Sequence, residues 1–250
     1  MDELFYFVFD GLPRLGPGDD SYTRKAFNSL PIFPDHAHIL DIGCGTGNQT
    51  LELARLTYCQ ILALDNHEPF LRKLIQRAKQ EKLDKRISTV KGDMHCLPFS
   101  EAEFDLIWSE GSIYIIGFEK GLNEWRKYLK PGGYIVVTEL TWVNDNSPLE
   151  VVEFFKNEYP DMKTDLENKN VIKRSGFDLI RDFKLPKSGW WNHYYQPLES
   201  RIIKLRKDHP NDHELLELLD YVQFEIDIYK KYGDYFGYIF YVMKRSSLSY

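Results

Sequence analysis

The sequence predicts an α/β fold with a mostly parallel sheet, and three observations support this prediction. Short apolar runs alternate with segments whose apolar residues recur at helical spacing. Several of the short runs end in an acidic residue, and a glycine-rich turn joins the first run to the first helical segment. The chain has 250 residues, of which 43% are hydrophobic, so it is long enough to bury a sizeable core.

The first strand is predicted over residues 38–41, and it leads into a turn that contains Gly43, Gly45 and Gly47. A helix is predicted over residues 48–56. Strand, glycine turn and helix open a nucleotide-binding βαβ unit, in which glycines let the backbone approach a ligand closely. The spacing is GxGxG rather than the GxGxxG of dinucleotide sites, and no lysine follows as it does in a P-loop.

The same alternation continues through the middle of the chain. Strands are predicted at 60–64, 87–90, 104–108 and 134–139, with helices at 70–80 and 118–128. Asp65 follows the second strand and Asp93 the third. An acid after the second strand can accept hydrogen bonds from vicinal ribose hydroxyls. Each acid alone would also be explained as a helix cap or a turn residue.

Outside this core the alternation is looser. The remaining predicted elements are a helix at 22–30 capped by Asp20 or Ser21, a helix at 148–158, a strand at 178–185, helices at 198–207 and 212–231, and a last strand at 235–243. The aromatic residues, 15% of the chain, concentrate after residue 180.

The segment Leu40-Asp41-Ile42-Gly43-Cys44-Gly45-Thr46-Gly47 resembles the first motif of the class I S-adenosylmethionine-dependent methyltransferases, an acid and a spacer followed by GxGxG. The resemblance covers residues 35–142 and is closest to the small-molecule branch (methyltransferase domain 11/25-like). It implies a Rossmann-like, seven-stranded, mostly parallel sheet with its last strand antiparallel and helices on both faces. It also implies a single domain over 1–250, with a cap helix region at 1–34, a cofactor-binding core at 35–142 and a helical, aromatic lid insertion at 186–233.

The resemblance implies S-adenosyl-L-methionine as cofactor and S-adenosyl-L-homocysteine as product. Asp65 and Asp93 would hold the adenosine end, and Asp41 would lie near the ammonium of the methionine end. The cofactor-binding residues carried over from the family are Asp41, Gly43, Cys44, Gly45, Gly47, Asp65, Asn66, Asp93, Met94 and Ser109.

Glu110 is the candidate catalytic residue, as a general base or as a group that positions the substrate, because it follows the fourth strand, where ligands of open α/β sheets bind. An exposed loop acid is the alternative, and Glu139 is a secondary candidate. Tyr22, ahead of the first strand, is a second catalytic candidate, and a flexible turn ahead of a packed helix is the favoured alternative. The predicted substrate pocket combines Glu110 with the aromatic residues Trp190, Trp191, Tyr194 and Tyr195.

Net charge and local sequence disfavour several classes of function. The formal net charge of −6 and the segment Ser109-Glu110-Gly111-Ser112, where many nucleic-acid and protein methylases carry an NPPY-type motif, disfavour a nucleic-acid partner. No apolar run is long enough for a membrane helix, and no His or Cys spacing predicts a metal site. Three scattered cysteines favour reduced thiols in the cytoplasm.

We therefore expect a monomer or homodimer that methylates a small organic molecule, such as an amine or an aromatic compound. A non-catalytic module that binds the cofactor and an NAD-dependent oxidoreductase are the alternatives.

Overall fold

The computed structural model describes residues 2–144 and 146–247 and builds them around one mixed sheet. Its strands are β1 (His38–Ile42), β2 (Gln60–Asp65), β3 (Ile87–Lys91), β4 (Phe104–Ser109), β5 (Leu129–Trp142), β6 (Lys163–Thr164), β7 (Phe177–Lys184) and β8 (Phe236–Arg245). They lie in the order β3-β2-β1-β4-β5-β8-β7, and β6 pairs with the end of β5. β8 runs antiparallel to both of its neighbours, whereas the other pairings are parallel. The predicted sheet with an antiparallel last strand is confirmed, and β6 is an unpredicted addition.

The helices cover both faces of this sheet. They are α1 (Asp2–Phe9), α2 (Asp20–Phe27), α3 (Asn48–Leu56), α4 (Glu68–Gln80), α5 (Phe118–Trp125), α6 (Leu149–Glu158), α7 (Asp165–Arg174), α8 (Lys187–Trp190), α9 (Gln196–Asp208) and α10 (His213–Tyr232). Short 3₁₀ turns cover Ile113–Ile115 and Arg126–Tyr128, and a π-helical turn covers Trp191–Tyr195. No helix within the described residues combines the length and apolarity that crossing a membrane requires.

Two expectations about local structure were wrong. The helix expected at 22–30 is α2, which begins two residues earlier and is capped by Asp19 rather than by Asp20 or Ser21, because the Asp19 carboxylate accepts from the Ser21 amide. The strand expected at 134–139 is β5, which begins five residues earlier, at Leu129, and therefore includes Gly132 and Gly133. The pairing register between β4 and β5 breaks there, between Phe104 and Leu106, so the extra residues fit as an irregularity within the strand.

Alternating side chains of the central strands enter two separate apolar clusters. Ile39 and Trp108 point to one face of the sheet, and Leu40 and Ile107 point to the other. A parallel sheet buried on both faces needs such continuous apolar strands. Because β1 and β4 are neighbours, the order of the strands reverses between them, and the loops that follow their carboxyl ends form the crevice where open α/β sheets bind ligands.

Candidate functional site

The glycine turn between β1 and α3 is held by backbone contacts that leave no room for side chains. The amides of Gly43 and Cys44 both donate to the Leu64 carbonyl, at 2.8 and 3.0 Å. Gly43 has φ +72°, and a Cβ at this position would collide with the Ser112 side chain. Glycine is therefore required here both by the backbone conformation and by the close approach of the loop that follows β4.

Ser109, one of the predicted cofactor-binding residues, lies beneath this contact. It is fully buried, and its hydroxyl shares a hydrogen bond of 2.7 Å with the hydroxyl of Ser112. Ser112 in turn donates to the Ile42 carbonyl at 2.9 Å. In this structure Ser109 thus supports the loop from below.

Asp41, also predicted to bind cofactor, is wholly buried beneath the glycine turn. Thr50 Oγ1 donates to its Oδ2 at 2.5 Å and Gln49 Nε2 to its Oδ1 at 3.3 Å. Burial raises the pKa of Asp41 to about 7, although these two hydrogen bonds oppose the shift. Both carboxylate oxygens are therefore used to connect β1 with the first turn of α3.

Asp65 lies at the end of β2, where its two oxygens face the loops around it. Oδ2 accepts from the Gly45 amide at 2.8 Å and Oδ1 from the His67 amide at 2.9 Å. Burial raises its pKa. The α1 helix covers this turn, because Tyr6 stacks on the His67 ring with centroids 3.7 Å apart and donates to Asn66 Oδ1 at 3.2 Å. Asp65 and Asn66 are thus adjacent to the glycine turn, as a ligand site requires.

The two residues predicted after β3 point in different directions. Met94 reaches the glycine turn, with its Cε 3.7 Å from where a Cβ of Gly43 would be. The Asp93 side chain is 68% exposed and pairs with His95, whose Nδ1 lies 2.8 Å and whose amide lies 2.9 Å from Asp93 Oδ1. These hydrogen bonds lower the Asp93 pKa. Asp93 therefore acts as a turn residue in this structure.

Residues 13–18, which we call the N-terminal strap, cross over the glycine turn. Leu15 Cδ1 is 2.9 Å from where a Cβ of Gly45 would lie. Asn48 Nδ2 donates to the Pro13 carbonyl at 2.8 Å, and the Gly18 amide donates to the Gly189 carbonyl at 3.0 Å. The strap and the glycine turn enclose a cleft of about 90 Å³.

Glu110 holds the N-terminal strap in place through an ion pair with Arg14. Its Oε2 pairs with Arg14 Nη2 at 3.2 Å, while its Oε1 accepts from Thr23 Oγ1 at 2.7 Å and from Trp108 Nε1 at 2.9 Å. The Glu110 and Arg14 side chains are only 3% and 7% exposed. Burial raises the Glu110 pKa, and Arg14 opposes that shift. With three donors on two oxygens, Glu110 is arranged as a buried latch rather than as an open acceptor for a substrate proton.

Tyr22, the second catalytic candidate, lines neither this cleft nor the larger cavity described below. It is half-buried against the apolar cluster on its face of the sheet. The next residue, Thr23, is the one that reaches Glu110. The α2 helix thus contributes to the site through a hydroxyl that the sequence did not single out.

A second cavity, of about 270 Å³, lies on the other side of the strap, and we call it the aromatic cavity. Of the predicted aromatic set, Trp190, Tyr194 and Tyr195 line it. Trp191 does not, and its ring carries the Lys230 ammonium at 5.3 Å instead. Glu110 is also absent from this lining, so the predicted combination of Glu110 with the aromatics does not form. The residues that line both this cavity and the cleft are Leu15, Gly16, Pro17 and Gly111.

Sequence reasoning missed most of the aromatic cavity. Its further lining comes from several separate parts of the chain and includes Phe5, Tyr114, Tyr159, Glu225 and Tyr238. Successive side chains of β8 point to opposite faces of the sheet, so the sequence could assign Tyr238 to one face. No local pattern indicated that this face lines a cavity.

Comparison with known proteins agrees with this geometry. Residues 39–133 match the model of a family described as a methyltransferase domain. The sterol 24-C-methyltransferase of Kluyveromyces lactis is 30% identical over 170 residues, which are 64% of this chain and 45% of that protein. The chain thus spans less than half the length of this curated relative.

Solved structures resemble the whole fold. A SAM-dependent methyltransferase from Geobacter sulfurreducens in complex with S-adenosyl-L-homocysteine has a TM-score of 0.84 at 19% identity, covering 97% of this chain and 98% of that one. The [4+2]-cyclase SpnF has a TM-score of 0.78 at 18% identity, covering 98% and 92%. At these identities the likeness concerns the fold, which hosts more than one activity.

Proposed function

We propose that this chain is a class I S-adenosylmethionine-dependent methyltransferase and that it transfers a methyl group from S-adenosyl-L-methionine to a small organic molecule. The product of the cofactor is S-adenosyl-L-homocysteine. The observation that carries the proposal is the wall common to the cleft and the aromatic cavity, formed by Leu15, Gly16, Pro17 and Gly111. A donor held on the glycine turn and an acceptor held by the aromatic side chains would meet at this wall.

The residues around the glycine turn fit this cofactor. Gly43, Gly45 and Gly47 line the cleft with backbone, and Asp65 presents a carboxylate at the end of β2 for ribose hydroxyls. The acids Asp41, Asp65 and Glu110 lie close enough to influence one another, which suits a positively charged ligand. When bound, the cofactor supplies a methyl group already activated on a sulfonium, so the chain's contribution is binding, orientation and exclusion of water.

Binding requires the strap to move. The cleft of about 90 Å³ is well below the roughly 300–1,000 Å³ of ordinary small-molecule sites. Displacement of residues 13–18 would enlarge it, and their return would shield the reacting groups from water. Glu110 then serves as a positioning residue through Arg14 and Thr23, which replaces its expected role as base. Asp93 would contact the adenine only after the turn that follows β3 rearranges.

Calorimetric titration of the purified chain with S-adenosyl-L-homocysteine and with NAD tests the cofactor. We expect binding of the former at micromolar concentration. Asp65→Asn should weaken it by about tenfold, since a hydrogen bond to a charged group contributes on the order of 1.5–3 kcal/mol. The matched control Asp84→Asn, at an exposed position on a loop, should leave the affinity unchanged. Tighter binding of NAD would point to the oxidoreductase alternative.

Turnover is measured by transfer of a labelled methyl group to a panel of amines, phenols and thiols. Cofactor binding without transfer to any acceptor would favour the non-catalytic alternative. Transfer confined to nucleic acid or protein would contradict a small-molecule substrate.

The proposal includes a cytoplasmic location and a monomeric or homodimeric state. The free thiols of Cys44, Cys59 and Cys96 support a reducing compartment. Size-exclusion chromatography with light scattering measures the oligomeric state.

A further inference from the structure

The lining of the aromatic cavity is acidic. Burial raises the pKa of one of its carboxyl groups, that of Glu225, and a cation bound beside it would favour the ionised form. Among the described residues that line it are two carboxylates, Glu158 and Glu225, and no Lys, Arg or His. Glu225 Oε1 accepts from the Tyr195 hydroxyl at 2.8 Å, and Glu158 at the mouth accepts from Tyr221. Because charges interact strongly where water is excluded, such a lining repels a carboxylate or phosphate and attracts a cation.

Buried tyrosine residues of this cavity have hydroxyls without a hydrogen-bond partner in the part of the chain that the structure describes. Tyr194 and Tyr238 are only 7% and 6% exposed, and neither hydroxyl has a hydrogen bond to any residue that the structure describes. Both residues line the cavity, so a ligand that displaces water from it would bury these hydroxyls. Because a buried polar group left unpaired is unfavourable, the site favours a ligand that can bond to them. A wholly apolar ligand would leave them unpaired, and a site of this kind discriminates against it.

The aromatic rings of the cavity lie close together. The centroids of Trp190 and Tyr238 are 4.8 Å apart, as are those of Tyr194 and Tyr195. The π faces of Trp and Tyr attract alkylammonium groups, and the attraction grows when the cation is desolvated. Rings, carboxylates and unpaired hydroxyls thus favour the same ligand chemistry.

We propose that the aromatic cavity binds an organic amine and that the methyl group is transferred to its nitrogen. This inference rests on the methyltransferase function proposed above and adds the class of its substrate. Glu225 and the aromatic rings hold the amine as a cation, while Tyr194 and Tyr238 bond to its nitrogen or to a neighbouring polar atom.

The chemistry balances without a further reactant. The bound ammonium first loses a proton to a carboxylate of the cavity. The nitrogen lone pair then forms the new bond to the methyl carbon as the carbon–sulfur bond breaks, and that electron pair stays on sulfur. The positive charge moves from sulfur to nitrogen, where the same rings and carboxylates face the methylated product.

Binding of a probe that cannot be methylated tests the site separately from turnover. Benzyltrimethylammonium and neopentylbenzene have nearly the same shape and differ by one charge. We expect the cation to bind at least about tenfold more tightly than the neutral probe. Tryptophan fluorescence measures the binding, because Trp190 lies in the wall of the cavity. Equal affinity for the two probes would overturn the proposal.

Two variants locate the effect. Glu225→Gln keeps an acceptor for Tyr195 and should weaken binding of the cation by about tenfold, with the neutral probe little changed. Glu217→Gln, an exposed position on the same helix α10, is the matched control and should change neither. Tyr238→Phe keeps the ring and should raise the KM for an amine several-fold. Circular dichroism and an unchanged affinity for S-adenosyl-L-homocysteine verify that each variant is folded.

Turnover of benzylamine, benzyl alcohol and benzoate completes the test. Methylation of the amine in preference to the other two supports the proposal. Preferred methylation of the alcohol or the carboxylate overturns it while leaving the methyltransferase function intact. Failure to bind S-adenosyl-L-homocysteine contradicts the proposed function itself, so the two failures are distinguishable.

Discussion

Replacing Glu139 by glutamine should make the folded chain more stable at alkaline pH. Glu139 is 1% exposed in β5, and its Oε1 accepts from the Tyr159 hydroxyl at 2.6 Å. Its Oε2 is buried without a hydrogen-bond partner among the described residues. Burial raises the pKa of Glu139 to about 8, against a usual value of 4.5, while the bond from Tyr159 opposes the shift.

The sign of the effect follows from the direction of this shift. Because the folded chain holds the proton more tightly than the unfolded chain, stability is fully present below pH 4.5 and is lost as pH rises to about 8. At about 1.4 kcal/mol per pH unit, the free energy of unfolding should fall by roughly 3–4 kcal/mol between about pH 5 and pH 8. The side-chain amide of Glu139→Gln would not titrate, and its carbonyl could still accept from Tyr159. The two proteins should therefore be similarly stable at acidic pH and diverge as pH rises.

Urea unfolding at several pH values, followed by tryptophan fluorescence, measures the difference directly. Other groups with raised pKa, such as Asp41, are present in both proteins and cancel in the comparison. Glu153→Gln, at an exposed position of the neighbouring helix α6, controls for the general effect of removing one carboxylate. If the curves for Glu139→Gln and the parent chain ran parallel from acidic to alkaline pH, the buried carboxyl would not be the source of the dependence.

The other two predictions concern Glu110 and helix α10. Glu110→Gln removes one of the two carboxylates paired with the buried Arg14 and leaves the pair with Asp20, so it should reduce the free energy of unfolding by about 1–3 kcal/mol and leave the pH profile of kcat unchanged. Loss of the acidic limb of that profile would instead restore Glu110 as a base. Leu219→Ala removes a fully buried side chain of α10, which should cost about 2–5 kcal/mol in calorimetric unfolding. Its affinity for S-adenosyl-L-homocysteine should remain, and a proportional loss would show that packing of α10 and ligand binding at the glycine turn are coupled.

The cofactor side of the site was predictable because its signals are local. Strand, glycine turn and helix occur within residues 38–56, and the structure has β1 and α3 there. The positive φ of Gly43 favours glycine over other residues, so the residue type itself indicates the backbone conformation. The alternation of apolar residues likewise predicted the order of the main elements.

The surroundings of Glu110 and the aromatic cavity were not predictable, because their contacts join distant parts of the chain. Arg14 and Glu110 are 96 residues apart, and nothing near either residue indicates the pairing. Position after β4 suggested an open acid, whereas tertiary contacts from α2 and the strap bury it. The α1 helix, with apolar residues nearly all along it, gave no periodic signal, although Tyr6 packs onto the site.

The strap has a thermodynamic consequence for the order in which ligands bind. Since Leu15, Gly16 and Pro17 wall both the cleft and the aromatic cavity, a single displacement alters both spaces. The free energy needed to separate the Arg14–Glu110 pair is then supplied once, by the binding of the first ligand. The second ligand finds the segment already released, so each should increase the affinity for the other by the same factor. Donor and acceptor would be captured cooperatively although they never share a binding residue outside that wall.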